Sequence, residues 1–379
     1  MHEKSSSKPN IKTFIPPKRT LLGPGPSDVP QRILDAMARP TLGHLDPEFI
    51  RMMDEVKTML QYAFKTKNEL TMAVSAPGSA GMETCFVNLV EPGDKVIVCI
   101  NGVFGGRMKE NVERSGGKAI VVEDEWGKPV DPGKVEEVFK KNPDVKILAF
   151  VHAETSTGAR SDAETLVKLG HDHNALVIVD TVTSLGGIPL FVDEWNIDAV
   201  YSGSQKCLSC TPGLSPISFN RRAVEVIKNR KTKVQSWFLD LNLVMNYWGG
   251  GAKRAYHHTA PINALYGLHE SLVMLLEEGI ENRWKRHQEN HLILKDELQK
   301  LNLEFFVDEK YRLPQLNSVK IPSSADDAKV RSKLLNDYNI EIGAGLGPMA
   351  GKIWRIGLMG YSSRRENIDA LISSLKKIL

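Results

Sequence analysis

Residues 199–208 read A-V-Y-S-G-S-Q-K-C-L, a short β-prone run that breaks at Gly203 and delivers one lysine, Lys206, just past its end. Upstream, residues 175–180 read A-L-V-I-V-D, an unbroken apolar run closing on an acid. Such a run fits a parallel strand buried on both faces, with Asp180 at its carboxyl end. In open α/β sheets, ligands gather beyond the carboxyl ends of the strands. A lone lysine is ordinarily a solvated surface charge. A strand-end acid followed by a strand-end lysine is what a pyridoxal phosphate site needs. The amine condenses with the cofactor aldehyde, and the carboxylate keeps the pyridine nitrogen protonated so that the ring can withdraw electrons.

The same alternation runs through the chain. Strand candidates recur at 70–74, 96–100, 119–123, 146–151, 175–180, 198–202 and 216–219, with helical segments between the early ones. That pattern predicts an α/β fold built on a mainly parallel, doubly wound sheet. Ser27 and Asp28 can cap a helix reaching about Ala38, with Pro30 in its first turn. Pro47 opens a second helix whose apolar face carries Phe49, Met52, Met53, Val56, Met59, Leu60 and Phe64. After Pro261 a long helical stretch bearing Leu265, Leu268, Leu272, Leu275 and Leu276 passes through a charged run, Glu281 to Lys300. A smaller α+β segment follows and ends in an amphipathic helix at 364–378. The expected organisation is an N-terminal arm over 1–21, a large cofactor-binding domain over 22–279 and a small C-terminal domain over 280–379.

Composition narrows the function classes. The 379 residues hold 49 basic and 46 acidic side chains, a net charge of +3 that argues against a nucleic-acid polycation and leaves anionic substrates compatible. No apolar run approaches the ~18 residues of a spanning helix, so no membrane partner is expected. Four cysteines in so long a chain form no disulfide framework, which points to a reducing intracellular compartment. Cys207 and Cys210 make a C-x-x-C, but Cys85 and Cys99 supply no second pair for zinc, and Pro212-Gly213 follows at once where a redox motif would open a helix. The pair reads as small buried residues, and no metal site is expected. The first twenty or so residues lack the apolar core of a signal peptide and read as an extended arm.

Further stretches fall into order around the acid and the lysine: G-P-G-P-S at 23–27, L-G-H-L-D-P-E-F at 42–49, V-D-T-V-T-S-L-G-G at 179–187, Y-S-G-S-Q-K at 201–206, Y-H-H-T at 256–259 and G-L-G-P at 345–348. From about Gly23 to the end, the chain resembles the alanine–glyoxylate / serine–pyruvate family of class V aminotransferases. That family has the fold-type I architecture, a large domain with a mainly parallel sheet and a smaller α+β domain.

The residues themselves give part of the site and the resemblance the rest. Gly78-Ser79-Ala80-Gly81 follows a strand and opens a helix, a turn whose amides can approach a phosphate or merely turn the chain. The resemblance puts the cofactor phosphate at Gly78 and Ser79, although Pro77 stands where relatives often carry Ser, and Ser79 where many carry His. Phe104 matches the aromatic that stacks on the cofactor ring, commonly Trp; Phe keeps the π-face and loses the indole N–H. In His152-Ala-Glu-Thr155-Ser-Thr-Gly158, a hydroxyl-rich turn, Thr155 matches a residue that hydrogen-bonds the ring hydroxyl or its neighbours. Gln205 is a phosphate-contact candidate through its amide. Arg355, in the apolar run I-W-R-I-G at 353–357, is either a solvent-facing strand residue or a buried clamp for a carboxylate; the resemblance favours the clamp. It also implies a homodimer with shared sites, Tyr256 and Thr259 reaching the neighbour's phosphate. Gly25 would shape the substrate-carboxylate pocket with Gly43 and His44, the latter two donated by the neighbour.

Two look-alike motifs fail. Gly347-Pro-Met-Ala-Gly351-Lys352 lacks the spacing and following hydroxyl of a nucleotide-binding loop, and Pro77 replaces the first glycine of a G-x-S-x-G elbow. The implied activity is pyridoxal phosphate-dependent transamination of L-alanine or L-serine, with glyoxylate or pyruvate as acceptor. Kynurenine or 3-hydroxykynurenine as donor is the alternative within the fold, with Gly43-His44 leaning toward the glyoxylate branch. A cysteine desulfurase-like lyase lacks a matching cysteine loop here. A catalytically silent cofactor-binding scaffold would have no reason to keep Lys206, Asp180 and Arg355 together. Peroxisome or mitochondrion is the compartment the resemblance suggests, although the chain ends Lys-Ile-Leu and not Ser-Lys-Leu.

Overall fold

The apolar runs become strands because each can be covered on both faces. In a computed structural model, which describes residues 8–249 and 254–379, seven of them form one sheet. These are β1 (Leu70–Val74), β2 (Lys95–Ile100), β3 (Lys118–Glu123), β4 (Ile147–Val151), β5 (Leu176–Asp180), β6 (Ala199–Tyr201) and β7 (Ser215–Phe219). Their spatial order is β1-β7-β6-β5-β4-β2-β3. All pairings from β6 through β3 are parallel, while β7 runs antiparallel to β1 and β6. Every residue of β1, β4, β5, β6 and β7 is buried; β4 is wholly apolar, while the polar residues of the others, such as Ser215, Ser218 and Thr71, are buried with hydrogen-bond partners. At the edge, β3 is exposed or half-buried along its length, and only Val122 is buried.

Helices α1 (Gln31–Met37), α2 (Pro47–Phe64), α3 (Gly78–Leu89), α4 (Val103–Arg114), α5 (Pro132–Lys141), α6 (Ala163–Asp172), α7 (Arg221–Lys228), α8 (Leu241–Trp248) and α9 (Ile262–Glu278) accompany this sheet. One apolar cluster runs from Ile33 to Trp284. A second joins Leu22 to residues from Leu294 to Leu375, around an antiparallel sheet of β8 (Leu316–Lys320), β9 (Gly343–Ala344) and β10 (Ile353–Gly357), with β10 in the middle. Helices α10 (Ile280–Lys300), α11 (Asp327–Tyr338) and α12 (Arg365–Ile378) cover it. Thr20–Leu21, placed in the arm by the sequence, pairs in parallel with Ile340–Glu341 and so belongs with this second cluster. None of the described helices is long and apolar enough to cross a membrane.

Two local expectations need correction. The helix near residue 30 begins at Gln31, with Pro30 at the cap position and no side-chain cap. Ser27 and Asp28 are engaged elsewhere: Ser27 Oγ donates to the Lys206 carbonyl at 2.8 Å, and the Asp28 carboxylate accepts from the Leu21 amide at 2.8 Å. The long helical stretch after Pro261 is two helices, because Gly279 takes φ +80° between them. Glu278 and Arg286 brace that break. The guanidinium donates to Glu278 at 2.6 Å and reaches the carbonyls of Gly360 and Ser363 at 2.8 and 2.7 Å.

Helix α3 lies so close to the sheet that a Cβ on Gly81 would stand 1.8 Å from Ser215 Oγ and 3.3 Å from Tyr201 Cβ. Ser215 cannot swing aside freely, since its hydroxyl donates to Ser202 O at 2.6 Å inside the core. Gly81→Ala should therefore destabilise the fold by about 1–3 kcal/mol in urea denaturation, even though alanine is the better helix former. A variant as stable as the parent would show that α3 can withdraw from β7 without loss.

Candidate active site

The neighbours of β2 leave it in opposite directions, toward β3 on one side and β4 on the other. Such a switch point opens a crevice beyond the carboxyl ends of the strands. Residues 101–104 after β2, 152–158 after β4, Asp180 at the end of β5 and 202–206 after β6 all belong to that edge. β1 runs the same way as β6, since both oppose β7, so the start of α3 reaches this edge too.

Lys206 is clipped into place by the G-P-G-P-S segment. The Ser27 amide donates to Gln205 O at 2.9 Å and the Ser27 hydroxyl to Lys206 O at 2.8 Å, while Lys206 Nζ donates to Pro24 O. Gly25 sits at φ +100°, and a Cβ there would lie 2.5 Å from Lys206 Nζ. Glycine is required by both the backbone and the close approach. Burial brings the amine down to about 8, with the charges of Arg355 and Arg107 pushing the same way and Cys207 and Asp180 opposing.

Asp180 is buried at the level of Tyr201 on the adjacent strand. Its carboxylate accepts from the Tyr201 hydroxyl and from the Val182 amide, each at 2.8 Å. Both donors are neutral. Among the described residues no cation stands within ion-pair distance, and burial raises the carboxyl to about 7 against those two hydrogen bonds. Val182 then packs between Gly78 and Gly203: a Cβ on either glycine would lie 3.7 or 3.6 Å from its methyl groups. The amides of Gly78 and Ser79, the first of α3, have no hydrogen-bond partner among the described residues. Gln205 Oε1 is buried without a partner as well.

Arg355 proves to be a buried strand residue, 6% exposed in the middle of β10. Its Nε donates to Ala344 O at 2.7 Å and its Nη1 to Thr155 O at 3.2 Å. No carboxylate among the described residues pairs with it, and burial lowers the guanidinium to about 10. The Thr155 hydroxyl meets the Thr183 hydroxyl at 2.5 Å. Phe104, in the first turn of α4, has the Arg107 guanidinium over its ring at 4.9 Å.

One buried acid of this edge was passed over in the sequence. Glu154 is fully buried, accepts from the amide and hydroxyl of Ser156 at 2.9 and 2.6 Å, and accepts from the Phe104 amide at 3.3 Å. Nothing distinguishes it from a turn acid in the sequence except Gly102, where a Cβ would come within 2.4 Å of its carboxyl carbon.

Gly43, His44, Tyr256 and Thr259 do not join this group within one chain. Tyr256 is 60% exposed and packs its ring against His44 at 4.9 Å, and Gly43 and Thr259 lie at the surface. The segment nevertheless borders the site, because His258 Nε2 meets Ser75 Oγ at 2.7 Å on the approach from β1 to α3. Cys207 and Cys210 are buried free thiols that burial pushes up to about 12 and about 11, so neither is a ready nucleophile.

A buried amine, a buried acid among neutral donors and an unpaired guanidinium at one switch point agree with what known proteins show. Residues 20–371 match the sequence model of the class-V aminotransferases. The chain belongs to that family. It is 42% identical to an alanine–glyoxylate aminotransferase of Oryctolagus cuniculus over 97% of this chain and 94% of that one. The crystal structure of an alanine–glyoxylate aminotransferase from Nostoc sp. superposes with a TM-score of 0.96 at 44% identity, covering 100% of both chains. The ureidoglycine–glyoxylate aminotransferase of Bacillus subtilis gives 0.94 at 38% identity over 97% of this chain and 94% of that one. This class-V aminotransferase is therefore a fold-type I enzyme that depends on pyridoxal phosphate.

The residues present fit that cofactor. Asp180 lacks a cationic partner and could take a ring N–H, the free amides of Gly78 and Ser79 could take phosphate oxygens, and Lys206 offers a buried amine. Without cofactor, the acid carries a measurable signature. Asp180 binds its proton more tightly folded, at about 7, than at its ordinary 3.8, so its stabilising contribution is complete below 3.8 and is lost as pH rises through about 7. The unfolding free energy of apo Asp180→Asn minus that of the apo parent should therefore rise between pH 4 and pH 7 and level off above. A flat difference across urea titrations would show that Asp180 does not titrate there.

Proposed function

We propose that this aminotransferase moves the amino group of L-alanine or L-serine to glyoxylate or pyruvate, with Lys206 as the cofactor-bearing lysine. The observation that carries the reading is Arg355: a buried guanidinium with two of its five donors on backbone carbonyls and, among the described residues, no carboxylate in ion-pair contact, although Glu154 is near enough to feel its charge. Donors and acceptors of this class share an α-carboxylate, which the planar fork binds bidentately. The alanine–glyoxylate names of the relatives support the small side chain. Bound at this site, pyridoxal phosphate supplies an aldehyde that exchanges amines and a ring that accepts the electron pair of a broken α-C–H bond. Asp180 would hold the proton on the ring nitrogen, and Lys206, brought down to about 8, would be neutral often enough near pH 7 to take the α-proton at Nζ. Gly78, Ser79 and Gln205 would hold the phosphate, Thr155 the polar edge of the ring, and Phe104 its face. Gly25 leaves room for the lysine.

A second donor, (S)-ureidoglycine, has support in the Bacillus subtilis relative, which is similar over nearly the whole chain. A panel of alanine, serine, ureidoglycine and kynurenine donors against glyoxylate and pyruvate separates these readings. Alanine or serine with glyoxylate should turn over fastest; a faster ureidoglycine or kynurenine rate would replace the donor, and no turnover with any pair would leave a silent cofactor-binding protein. Borohydride reduction of the holoenzyme should label Lys206, and a different labelled lysine would sink the assignment.

Arg355→Lys keeps the charge and loses the fork. A charge-assisted hydrogen bond of about 1.5–3 kcal/mol predicts a loss of roughly 10- to 150-fold in kcat/KM for carboxylated substrates, with cofactor affinity little changed. Equal losses for an amine lacking the carboxylate would make Arg355 a support of the fold.

The homodimer with shared sites rests on the exposure of Tyr256 and on its place beside His44 at the rim. A surface substitution that disturbs no buried contact usually changes stability by no more than about 0.5 kcal/mol. If Tyr256 and Thr259 bind the neighbour's phosphate, and Gly43 and His44 line its substrate pocket, Tyr256→Phe should weaken cofactor binding several-fold while the apoprotein keeps its stability. A fully active monomer in sedimentation at assay concentration would end this reading.

A further inference from the structure

We infer that Glu154 is a positioning residue for the cofactor: its carboxylate, with Ser156, caps α4 from outside the helix and so fixes where the Phe104 ring stands. The inference rests on the reading that Phe104 stacks on the cofactor. Helix α4 begins after Gly102, which has no side chain to serve its first amides, and no side-chain cap comes from that residue. The cap comes from the turn after β4 instead. Glu154 Oε2 accepts the Phe104 amide at 3.3 Å, and Ser156 Oγ accepts the Val103 amide at 3.0 Å. Glu154 Oε1 holds Ser156 in turn, through its amide at 2.9 Å and its hydroxyl at 2.6 Å.

Burial pushes the Glu154 carboxyl up, and the three donors, the helix N-terminus and the charge of Arg355 oppose that shift by favouring the anion. A side chain on Gly102 would occupy the carboxylate's place, lying 2.4 Å from its carboxyl carbon and 2.4 Å from Ser156 Oγ. The same turn touches Arg355 through Thr155 O at 3.2 Å, so 154–156 bracket both the stacking aromatic and the guanidinium. They do so by different atoms. Arg355 hangs on a backbone carbonyl and on Ala344 O, whereas Phe104 hangs on the Glu154 carboxylate itself. Neutralising Glu154 therefore disturbs the ring's support and leaves both carbonyls that hold the arginine.

The test is a double-mutant cycle of Glu154→Gln and Phe104→Leu, read by titrating apoprotein with pyridoxal phosphate and by the circular dichroism of the cofactor band. An amide in place of the carboxylate turns its N–H2 toward the Phe104 N–H. Glu154→Gln should raise the cofactor Kd roughly threefold to tenfold, the range of a lost aromatic contact, and reduce the induced dichroism. The substrate KM should move less than the cofactor Kd, since the carbonyl partners of Arg355 remain and Glu154 acts on it through charge alone, without an ion-pair contact. In the Phe104→Leu background the same substitution should change Kd less than about twofold, because the ring it positions is gone. An equal rise in both backgrounds, or no rise in the parent, would overturn the inference and leave Glu154 a structural acid. A Phe104→Leu variant that binds cofactor like the parent would instead refute the stacking role of Phe104. Should Glu154→Gln not fold, Ser156→Ala removes the other half of the cap and must show the same dependence on Phe104.

Discussion

Burying the Lys206 amine removes it from water, and the fold offsets that loss by gripping the residue from both ends. Ser27 takes hold of the backbone on either side of the peptide, and Pro24 O accepts from Nζ. The grip needs a chain that can pass within touching distance of the lysine stem, which is why Gly25 must be glycine. The second cluster is tied to the same segment. A Cβ on Gly343 would meet Pro24 at 2.4 Å and one on Gly357 would meet Gly23 O at 1.9 Å, so β9 and β10 pack directly on the strip that holds the lysine. Arg355 is delivered from β10 by this contact, and a single strip of chain sets the amine and the guanidinium relative to each other.

The charges at this edge are few, buried and deliberately incomplete. Asp180 receives only neutral donors, Arg355 only carbonyls, and Lys206 a single carbonyl. Each is shifted toward neutrality mainly by burial, the acid upward and the two cations downward. A stability-optimised core would pair such groups directly, because an unpaired buried charge is costly. Leaving them apart keeps each available to a complementary group brought from outside. That is the electrostatic form expected of a site completed by a cofactor and an anionic substrate.

Glu154 contrasts with these three. It is satisfied three times over by donors of the chain itself, and its work is internal. Two buried acids thus sit on neighbouring strand ends with separate tasks: Asp180 has one neutral donor on each oxygen and no cation in ion-pair contact, and Glu154 is closed on the turn that holds α4. Cys207 and Cys210, adjacent to the lysine, are equally closed: both are buried free thiols raised by desolvation, and Cys207 Sγ lies 3.6 Å from Thr183 O.

The inner strands of the large sheet were legible in the sequence because a strand buried on both faces carries few charges along its length, and β3 at the edge, with only Val122 buried, was legible from its β-branched run. The acid and the lysine could be placed for the same reason, since Asp180 closes one such buried run and Lys206 lies in the short loop after another. Local sequence could not decide the fate of Ser27 and Asp28, whose capping chemistry suits a helix start, because the Lys206 carbonyl and the Leu21 amide that claim them lie elsewhere in the chain. Nor could it decide whether Arg355 faces water or the core; β10 became the middle strand of its sheet only once β8 and β9 closed on either side. Glu154 was hidden in a hydroxyl-rich turn because its partner, the first turn of α4, is brought to it by the parallel order of β2 and β4. Periodicity and punctuation are properties of neighbours along the chain, and they determined the elements. Which side chain meets which across the crevice depends on the order of strands, and only the tertiary structure decided that.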